Sequence, residues 1–304
     1  MEQAVMINKL RMLAGDRLTE NADMSKYTSF RAGGSAAALV EVENTEELRA
    51  VLQLVTEGNI PHMVIGNGSN MLFKDSGYDG VVIKLSRQGF DYVTMEEDNS
   101  VRVGTAVTNG ALAKILQREG LAGFEFASGI PGSLGGAVFM NAGAYGGEMK
   151  DIVKSVKTIS PDGREERVFT AEEMDFSYRH SILEENGYIA VEVTLQLTKG
   201  DKEEIAAQMK ELLEKRNSKQ PVNYPSAGST FKRPEGYFAG KLVEDAGLKG
   251  LTVGGAQVST LHSGFVINIG GATATDILQL MALVQNTVYD KFGVMLEPEV
   301  RIIG

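Results

Sequence analysis

Two glycine-rich stretches of the sequence contain the residue types that bind phosphate groups. The first is VIGNGSNML, Val64–Leu72, in which an apolar run leads into Gly66–Asn70. Small residues after a strand leave main-chain N–H groups open to phosphate oxygens. The stretch departs from the dinucleotide-binding pattern GxGxxG, because Asn70 stands where the third glycine belongs and no long helix follows. Taken alone, it is more simply interpreted as a glycine turn after a strand.

The second stretch is SGIPGSLGGAVFMNAGAYGGE, Ser128–Glu148. It combines Pro131, closely spaced glycines and a run of small residues, which let a main chain approach a flat ring system or a pyrophosphate closely. Two such stretches in one chain are hard to explain as turns alone. Together they predict one ligand that carries a pyrophosphate and two ring systems.

Ser229 lies in a local cluster of positive charge within an acidic protein. Lys219 precedes it, and Lys232 and Arg233 follow it closely. A serine hydroxyl is a poor acid, so flanking positive charge alone does not make Ser229 a proton donor; that role is implied only by the family resemblance given below. From the residues alone, a helix N-cap or a serine turn is the better interpretation of Ser229, because both are common for a hydroxyl residue beside glycine. The adjacent hydroxyl of Thr230 is a second candidate for either role.

The composition excludes several classes of function. The 304 residues are 43% hydrophobic and carry a net charge of -10, which argues against a nucleic-acid surface. The absence of cysteine excludes disulfides, thiolate nucleophiles and cysteine-ligated metals. The histidines His62, His180 and His262 are far apart, so we expect no metal site. The N-terminal stretch resembles an amphipathic helix broken by Gly15 and contains no long apolar run, so we expect a cytoplasmic protein with no membrane association.

The elements that must position these residues alternate between helix and strand. A strand follows Gly34, a capped helix covers NTEELRAVLQLVTEGN, and a strand covers IPHMVIG, which together predict a β-α-β unit. Strands are then predicted at GVVIKL and SVRVGTAV. They are followed by a predicted helix, ALAKILQREG, that ends at Gly120. A small-residue helix is enclosed by the second glycine stretch. Three strands follow, at IVKSVKTIS, REERVFT and YIAVEVTLQLT.

The C-terminal third has its own helices and strands. A helix covers EEIAAQMKELLEKRNSKQP, strands cover TVGGAQVS and GFVINIG, and a capped helix covers TATDILQLMALVQNTVYDKFG. The last predicted strand is VMLEPEVRIIG, on which Glu297 and Glu299 would point the same way unless Pro298 disturbs the alternation. The fold class is α+β. We predict boundaries that divide the chain into residues 1–80, 81–200 and 201–304.

Five motifs in order resemble one enzyme family. They are GNGSN at 66–70, IPGSLGGAVFMNAGAYG at 130–146, YRHS at 178–181, AGSTFKRP at 227–234 and LEPEVR at 296–301. Together they closely resemble the MurB-type UDP-N-acetylenolpyruvoylglucosamine reductases, from about residue 20 onwards. The resemblance implies an FAD-binding domain of the vanillyl-alcohol-oxidase type in two α+β subdomains, residues 1–80 and 81–200. A C-terminal substrate-binding domain follows, whose last strand returns to the flavin site.

The resemblance also implies a role for each residue of the motifs. Ser229 is the proton donor, Arg179 faces the developing enolate, and Glu299 is the essential carboxylate, a choice that rests on the motif alone. Substrate contacts are assigned to Lys219, Lys232 and Arg233. Non-covalent FAD is assigned to Arg31, Ile65, Gly66, Asn67, Gly68, Ser69, Asn70, Ile130, Pro131, Gly132, Gly135, Gly136, Ala137, Asn141, Ala142 and Gly143.

The implied reaction reduces a UDP-sugar in peptidoglycan precursor synthesis. A hydride passes from NADPH through FAD to the enolpyruvyl group of UDP-N-acetylglucosamine enolpyruvate, and the product is UDP-N-acetylmuramate. The chain length is similar to that of the shorter subgroup, which lacks a tyrosine-bearing insertion; Tyr145 is a candidate replacement. We expect a monomer or a weak dimer. The alternatives are an oxidase or dehydrogenase on the same fold, which the lack of cysteine and scarcity of histidine disfavour, and a flavin- or nucleotide-sugar-binding sensor.

Overall fold

A computed structural model describes residues 3–304, so the first two residues of the predicted N-terminal helix lie outside the described residues. Its α-helices are α1 (Gln3–Ala14), α2 (Thr45–Glu57), α3 (Arg87–Phe90), α4 (Asn109–Glu119), α5 (Leu134–Phe139), α6 (Leu183–Asn186), α7 (Lys202–Lys219), α8 (Ala239–Asp245) and α9 (Ala274–Phe292). Short 3₁₀ helices cover Gly15–Arg17, Met24–Lys26, Glu125–Ala127 and Met149–Asp151. No helix between residues 3 and 304 has the length and apolar character that crossing a bilayer requires.

The strands of the described residues are mostly short. They are β1 (Leu18–Asp23), β2 (Ser35–Val42), β3 (His62–Ile65), β4 (Met71–Phe73), β5 (Tyr78–Leu85), β6 (Val93–Met95), β7 (Ser100–Gly104), β8 (Leu121–Ala122), β9 (Gly143–Ala144), β10 (Gly147–Glu148), β11 (Val153–Ile159), β12 (Glu166–Thr170), β13 (Ile189–Gln196), β14 (Thr198–Lys199), β15 (Thr252–Val253), β16 (Ala256–Val258), β17 (Val266–Asn268) and β18 (Arg301–Ile303).

The chain folds into two compact units. The first contains the described residues up to Glu20, together with Ala38–Gly66 and Gly80–Lys215; the second contains Asn21–Ala37, Asn67–Asp79 and Arg216–Gly304. Each unit is thus assembled from three separate stretches of sequence. The boundaries predicted at 80/81 and 200/201 stay a prediction.

The first unit has two hydrophobic cores. In one, α1 and α2 pack on a sheet with the strand order β1-β2-β5-β3, in which β3 and β5 run parallel. In the other, α4 and α5 pack with the antiparallel sheet β12-β11-β13-β7-β6. The β-α-β prediction for residues 35–65 is confirmed for its three elements, and β5 lies between its two strands.

The second unit has a single core around α9. This helix begins at the predicted cap, where Thr273 and Asp276 accept each other's main-chain N–H groups, and ends at Gly293 with φ 67°. Its apolar face packs with α8 and the antiparallel sheet β15-β16-β17. Strand β18 pairs with β4 in parallel, so that Ile302 lies opposite Leu72.

Two predicted strands differ from the structure. The stretch TVGGAQVS forms two strands, β15 and β16, joined by Gly254 and Gly255, because φ 53° at Gly254 turns the chain. The predicted strand VMLEPEVRIIG is regular only over β18. Pro298 has no N–H to donate to a ladder, and it forms only an isolated antiparallel bridge with Phe231.

Candidate functional site

The second glycine loop, Ser128–Glu148, is held in the first unit by main-chain hydrogen bonds. The N–H of Leu134 donates to the carbonyl of Val107 at 2.8 Å, and the N–H of Gly135 donates to that of Thr105 at 3.0 Å. A Cβ added to Gly135 would lie 2.8 Å from the Cβ of Thr105. Gly135 is therefore required by the close approach of α5 to the segment around Thr105.

Gly136 has no comparable neighbour. Outside its own helix, the nearest atom to an added Cβ is the Oγ of Ser133 at 3.7 Å. Glycine lowers helix stability by about 1 kcal/mol relative to alanine, so packing within the chain gives no reason for it here. Two buried side-chain atoms have no hydrogen-bond partner in the described residues: Ser128 Oγ, which lies in this loop, and Asn109 Oδ1. Asn109 is close to the loop, because its main-chain N–H donates to the carbonyl of Gly132 at 3.2 Å. An open glycine and unsatisfied polar atoms fit a cradle for a bound FAD.

Asn141 ties this loop to the turn that carries Arg179. It is fully buried with φ 44°, and its Nδ2 donates to Glu148 Oε2 and to the carbonyl of Ser177, both at 2.9 Å. The hydroxyl of Ser181 adds a donation of 2.6 Å to the carbonyl of Phe139. Arg179 is half-buried, its Nη2 lies 3.5 Å from the carbonyl of Gly143, and its guanidinium carbon lies 5.0 Å from the ring centre of Tyr178. The first unit thus brings Arg179 beside the second glycine loop.

Positive φ angles also single out predicted site residues. In the described residues, most of the non-glycine residues with positive φ are Asn or Asp, which tolerate this region well. The exceptions are Arg31, Tyr145 and Arg179, with φ of 53°, 54° and 57°. Strained conformations are concentrated at functional sites, so this pattern supports a functional role for the three residues.

In the second unit, residues 67–70 of the first glycine loop pack against Tyr27 and the TSFRAGG segment, residues 28–34. Gly68 has φ 60°, and an added Cβ would lie 2.0 Å from the carbonyl oxygen of Tyr27. The carbonyl of Gly68 accepts the N–H of Ser29 at 3.1 Å. Asn268, on β17, donates its side-chain amide to the carbonyl of Phe30 at 3.0 Å, which fixes the turn that carries the exposed Arg31. Gly68 is required by this packing, whatever ligand the loop binds.

The serine segment, residues 225–232, lies between β17 and the segment that carries Glu299. On one side, the N–H of Thr230 donates to the carbonyl of Gly264 at 2.8 Å. On the other side, the N–H of Glu299 donates to the carbonyl of Thr230 at 2.9 Å. Ser229 is half-buried, and it does not cap a helix, because the next helix, α8, begins only at Ala239. The second unit therefore brings Ser229 and Glu299 onto neighbouring main-chain positions.

The two candidate carboxylates have different environments. Glu297 is 68% exposed in its side chain, and its Oε1 lies 2.5 Å from the Nζ of Lys232. Glu299 is half-buried, and its carbonyl accepts the side-chain amide of Asn70 at 2.9 Å. Asn70 thus links the first glycine loop to Glu299. The alternation of the strand did not distinguish the two glutamates, so the choice of Glu299 rested on the motif. The half-buried environment of Glu299 favours the same choice.

The predicted substrate-binding cations lie at the surface of the second unit. Lys219 is the last residue of α7 and is exposed. Lys232 pairs with Glu297, while the guanidinium carbon of Arg233 stacks 4.1 Å from the ring centre of Phe238. An exposed ion pair contributes little stability, so a ligand phosphate can replace Glu297 as the partner of Lys232 at small cost.

The sequence did not indicate a supporting role for three residues that hold the site together. Thr230, Asn268 and Ser181 are almost fully buried, and each bonds a main-chain group of another segment. Their sequence signal is weak: a polar residue inside an apolar or glycine-rich motif, as Asn268 is in VINIG. Only the long-range contacts reveal what each of them holds.

Two family models match the chain. One, described as an FAD binding domain, covers residues 36–168; the other, described as the C-terminal domain of UDP-N-acetylenolpyruvoylglucosamine reductase, covers residues 220–303. The first match includes the second glycine loop, and the second includes Ser229 and Glu299. The predicted α+β fold class, with an FAD-binding domain and a distinct C-terminal domain, is confirmed.

Curated relatives match over the whole length. The UDP-N-acetylenolpyruvoylglucosamine reductase of Clostridioides difficile (strain 630) is 51% identical over 304 residues, which cover 99% of this chain and 98% of the relative. That of Alkaliphilus oremlandii (strain OhILAs) is 49% identical and covers 97% and 96%. The crystal structure of UDP-N-acetylenolpyruvylglucosamine reductase (MurB) from Thermus caldophilus superposes with a TM-score of 0.80 at 37% identity, covering 93% of this chain and 98% of that one.

Proposed function

Because the chain belongs to the UDP-N-acetylenolpyruvoylglucosamine reductase family, we propose that it reduces UDP-N-acetylglucosamine enolpyruvate to UDP-N-acetylmuramate with FAD as cofactor and NADPH as electron donor. One observation of the structure supports this most directly. The Glu299 N–H to Thr230 carbonyl bond of 2.9 Å holds the carboxylate segment against the segment that carries Ser229. A proton donor and an enolate-stabilising group need this kind of fixed relation.

The two glycine loops would hold FAD, which would supply a hydride to the β-carbon of the enolpyruvyl group, with NADPH as the source of that hydride. Ser229 gives its hydroxyl proton to the α-carbon, where the electron pair of the former double bond is held as an enolate. Arg179 stabilises the enolate oxygens with the N–H groups of its guanidinium. Glu299, as a carboxylic acid, donates a hydrogen bond to the same charge. The serine is then reprotonated by solvent, and the net change is one hydride and one proton added across the double bond.

The remaining motif residues are assigned to binding the cofactor and the substrate. We propose that FAD is held by residues 65–70 of the first glycine loop, with Arg31 as a further contact, and by these residues of the second: Ile130, Pro131, Gly132, Gly135, Gly136, Ala137, Asn141, Ala142 and Gly143. The open side of Gly136 supports this assignment for the second loop. Lys219, Lys232 and Arg233 are proposed to neutralise the diphosphate and the carboxylate of the substrate. Their positive charge stands out in a chain whose net charge is -10.

The setting of the enzyme is part of the proposal. We propose that it works in the cytoplasm on a small molecule, as a monomer or a weak dimer, without a nucleic-acid or membrane partner. The acidic balance of the chain supports the exclusion of nucleic acid.

An anaerobic absorbance experiment on the purified holoenzyme tests the reaction. The flavin bands should bleach on addition of NADPH and return on addition of UDP-N-acetylglucosamine enolpyruvate. NADH in place of NADPH tests the choice of donor. A flavin that NADPH cannot bleach would favour a sensor, and oxygen consumption with a simple alcohol would favour an oxidase; either result would contradict the proposed reaction.

The proton donor and the carboxylate are tested by variants in the same experiment. Ser229→Ala should leave flavin reduction by NADPH intact and slow flavin reoxidation by substrate by about 10²-fold or more, the usual contribution of a general acid. Glu299→Gln should also slow reoxidation, whereas the control Glu297→Gln should not. Reoxidation at the wild-type rate in Ser229→Ala would contradict the role of Ser229.

A further inference from the structure

Thr230 makes three hydrogen bonds that join separate segments of the second unit. Its N–H donates to the carbonyl of Gly264 at 2.8 Å, and its carbonyl accepts the N–H of Glu299 at 2.9 Å. Its Oγ1 accepts the N–H of Val266 at 2.8 Å. The residue is 1% exposed, so water does not replace these bonds. Thr230 thus connects the serine segment to both neighbours, β17 with its adjoining turn and the Glu299 segment.

The side chain of Thr230 sets the register of these connections. Val266 is 2% exposed, and as the first residue of β17 it pairs with Val258 of β16. The hydroxyl therefore anchors the serine segment to a strand inside a sheet, in addition to the main-chain bonds that any residue could make. A second main-chain bond joins the serine segment to the Glu299 segment: the N–H of Lys232 donates to the carbonyl of Glu297 at 2.8 Å.

We propose that Thr230 is a positioning residue that fixes Ser229 and Glu299 relative to each other for the protonation step. This inference rests on the proposed function, in which those two residues act on the substrate. Thr230 itself is not assigned as the proton donor, because it is only 1% exposed, whereas Ser229 is half-buried. A shift of about 1 Å in a catalytic group is enough to lower a rate about 10²-fold, so an anchor of this kind affects the rate as well as the stability.

The test uses the FAD-loaded enzyme and stopped-flow measurement of its two half-reactions. Thr230→Val keeps the shape of the side chain and removes the acceptor for the Val266 N–H, whereas Thr230→Ser keeps the acceptor. We expect Thr230→Val to slow reoxidation by substrate about tenfold or more and to leave flavin reduction by NADPH within about twofold, and we expect Thr230→Ser to restore most of the rate. The solvent deuterium isotope effect on reoxidation should increase in Thr230→Val, because proton transfer becomes slower.

Thr273→Val is the matched control. Its Oγ1 also accepts a main-chain N–H in the same unit, that of Asp276 at 3.0 Å, but at the start of α9. This variant should lower the melting temperature and leave both half-reactions unchanged. If Thr230→Val does not fold, Thr230→Cys replaces the hydroxyl by a weaker acceptor of similar size, and a smaller loss of the same half-reaction is expected.

The outcomes separate this inference from the proposed function. If the substrate fails to reoxidise the reduced flavin of the wild-type enzyme, the proposed function is overturned, and the positioning role with it. Normal wild-type turnover, together with an unchanged reoxidation rate in Thr230→Val, would overturn the positioning role alone. So would an equal loss in both half-reactions, which would indicate a general loss of structure.

Discussion

Adjacent glycines of the second glycine loop are present for different physical reasons. A side chain at Gly135 would collide with the Cβ of Thr105 at 2.8 Å, so the protein itself excludes one. A side chain at Gly136 would meet nothing closer than 3.7 Å outside its helix. The first glycine is explained by packing, and the second is explained by a ligand that approaches the main chain.

Alanine substitutions should separate these two reasons. Gly135→Ala is expected to lower the free energy of unfolding by about 1–3 kcal/mol, the usual range for overpacking. Gly136→Ala should leave the stability of the FAD-free protein unchanged or raise it by up to about 1 kcal/mol, because alanine favours helix. It should nevertheless weaken FAD binding. Urea unfolding and a flavin fluorescence titration measure the two effects. FAD binding of wild-type affinity by Gly136→Ala would remove the cradle interpretation.

At the residue scale, sequence reasoning identifies motif residues better than the residues that support them. Ser229 is predictable because it lies in a basic cluster and a recognisable motif. Thr230 is considered only as an alternative hydroxyl, since nothing local distinguishes the two. The difference lies in contacts with Gly264, Val266 and Glu299, which are distant in sequence. Burial and a long-range hydrogen-bond partner have no local signature.

The start of helix α2 is held by two sets of hydrogen bonds, one from the cap residue Asn44 and one from Glu47. Asn44 accepts the N–H of Glu47 at 2.8 Å, as the sequence predicts for an N-cap. The carboxylate of Glu47 also accepts both terminal nitrogens of Arg17, at 2.6 and 3.0 Å, and the N–H of Glu43 at 2.9 Å. The hydrogen bond from Arg17 lowers the pKa of Glu47 below its ordinary value of 4.5, although burial opposes the shift. The pair connects α2 to the 3₁₀ turn that follows α1.

The lowered pKa of Glu47 predicts a pH dependence of stability. The stabilisation is complete above the unfolded-state value of 4.5 and is lost as the pH falls through the lower folded-state pKa. Wild-type protein should therefore lose more stability between about pH 6 and pH 3 than Glu47→Gln, which has no proton to take up there. The control Glu46→Gln also removes one carboxylate, at the preceding residue, and leaves the Arg17–Glu47 pair intact. Its stability should depend on pH as that of the wild type does. Urea unfolding at several pH values measures the free energy of unfolding. An equal loss of that free energy in all three proteins as the pH falls would contradict the prediction.

Among elements, the long periodic ones are predictable and the short irregular ones are not. In the sequence, α2 has a start signal, α4 has an end signal and α9 has both, and the structure contains all three helices. The stretch VMLEPEVRIIG has strand-like composition but forms a strand only at Arg301–Ile303. Short elements such as α3, α6 and β6 were not predicted, because three or four residues carry too little periodicity.

At the scale of the whole molecule, bound FAD should contribute to stability. A ligand that binds only the folded protein adds about 2.7 kcal/mol at a concentration 100 times its Kd. The melting temperature should therefore rise with FAD concentration and fall when the cofactor is removed. Riboflavin, which lacks the pyrophosphate, is the matched control and should raise it less. A melting temperature that does not depend on FAD would contradict the proposed cofactor.

The pairing of β18 with β4 has a consequence for how the chain is made. Leu72 and Phe73 of β4 are fully buried, and β4 is separated from β18 by more than two hundred residues of sequence. A ribosome that adds roughly 5–20 residues per second completes β18 on the order of ten seconds or more after β4 has left the exit tunnel. During that interval β4 is an apolar strand without its parallel partner, and Glu299 does not yet exist. β4 therefore stays without its parallel partner until residues 301–303 have been synthesised and have left the exit tunnel.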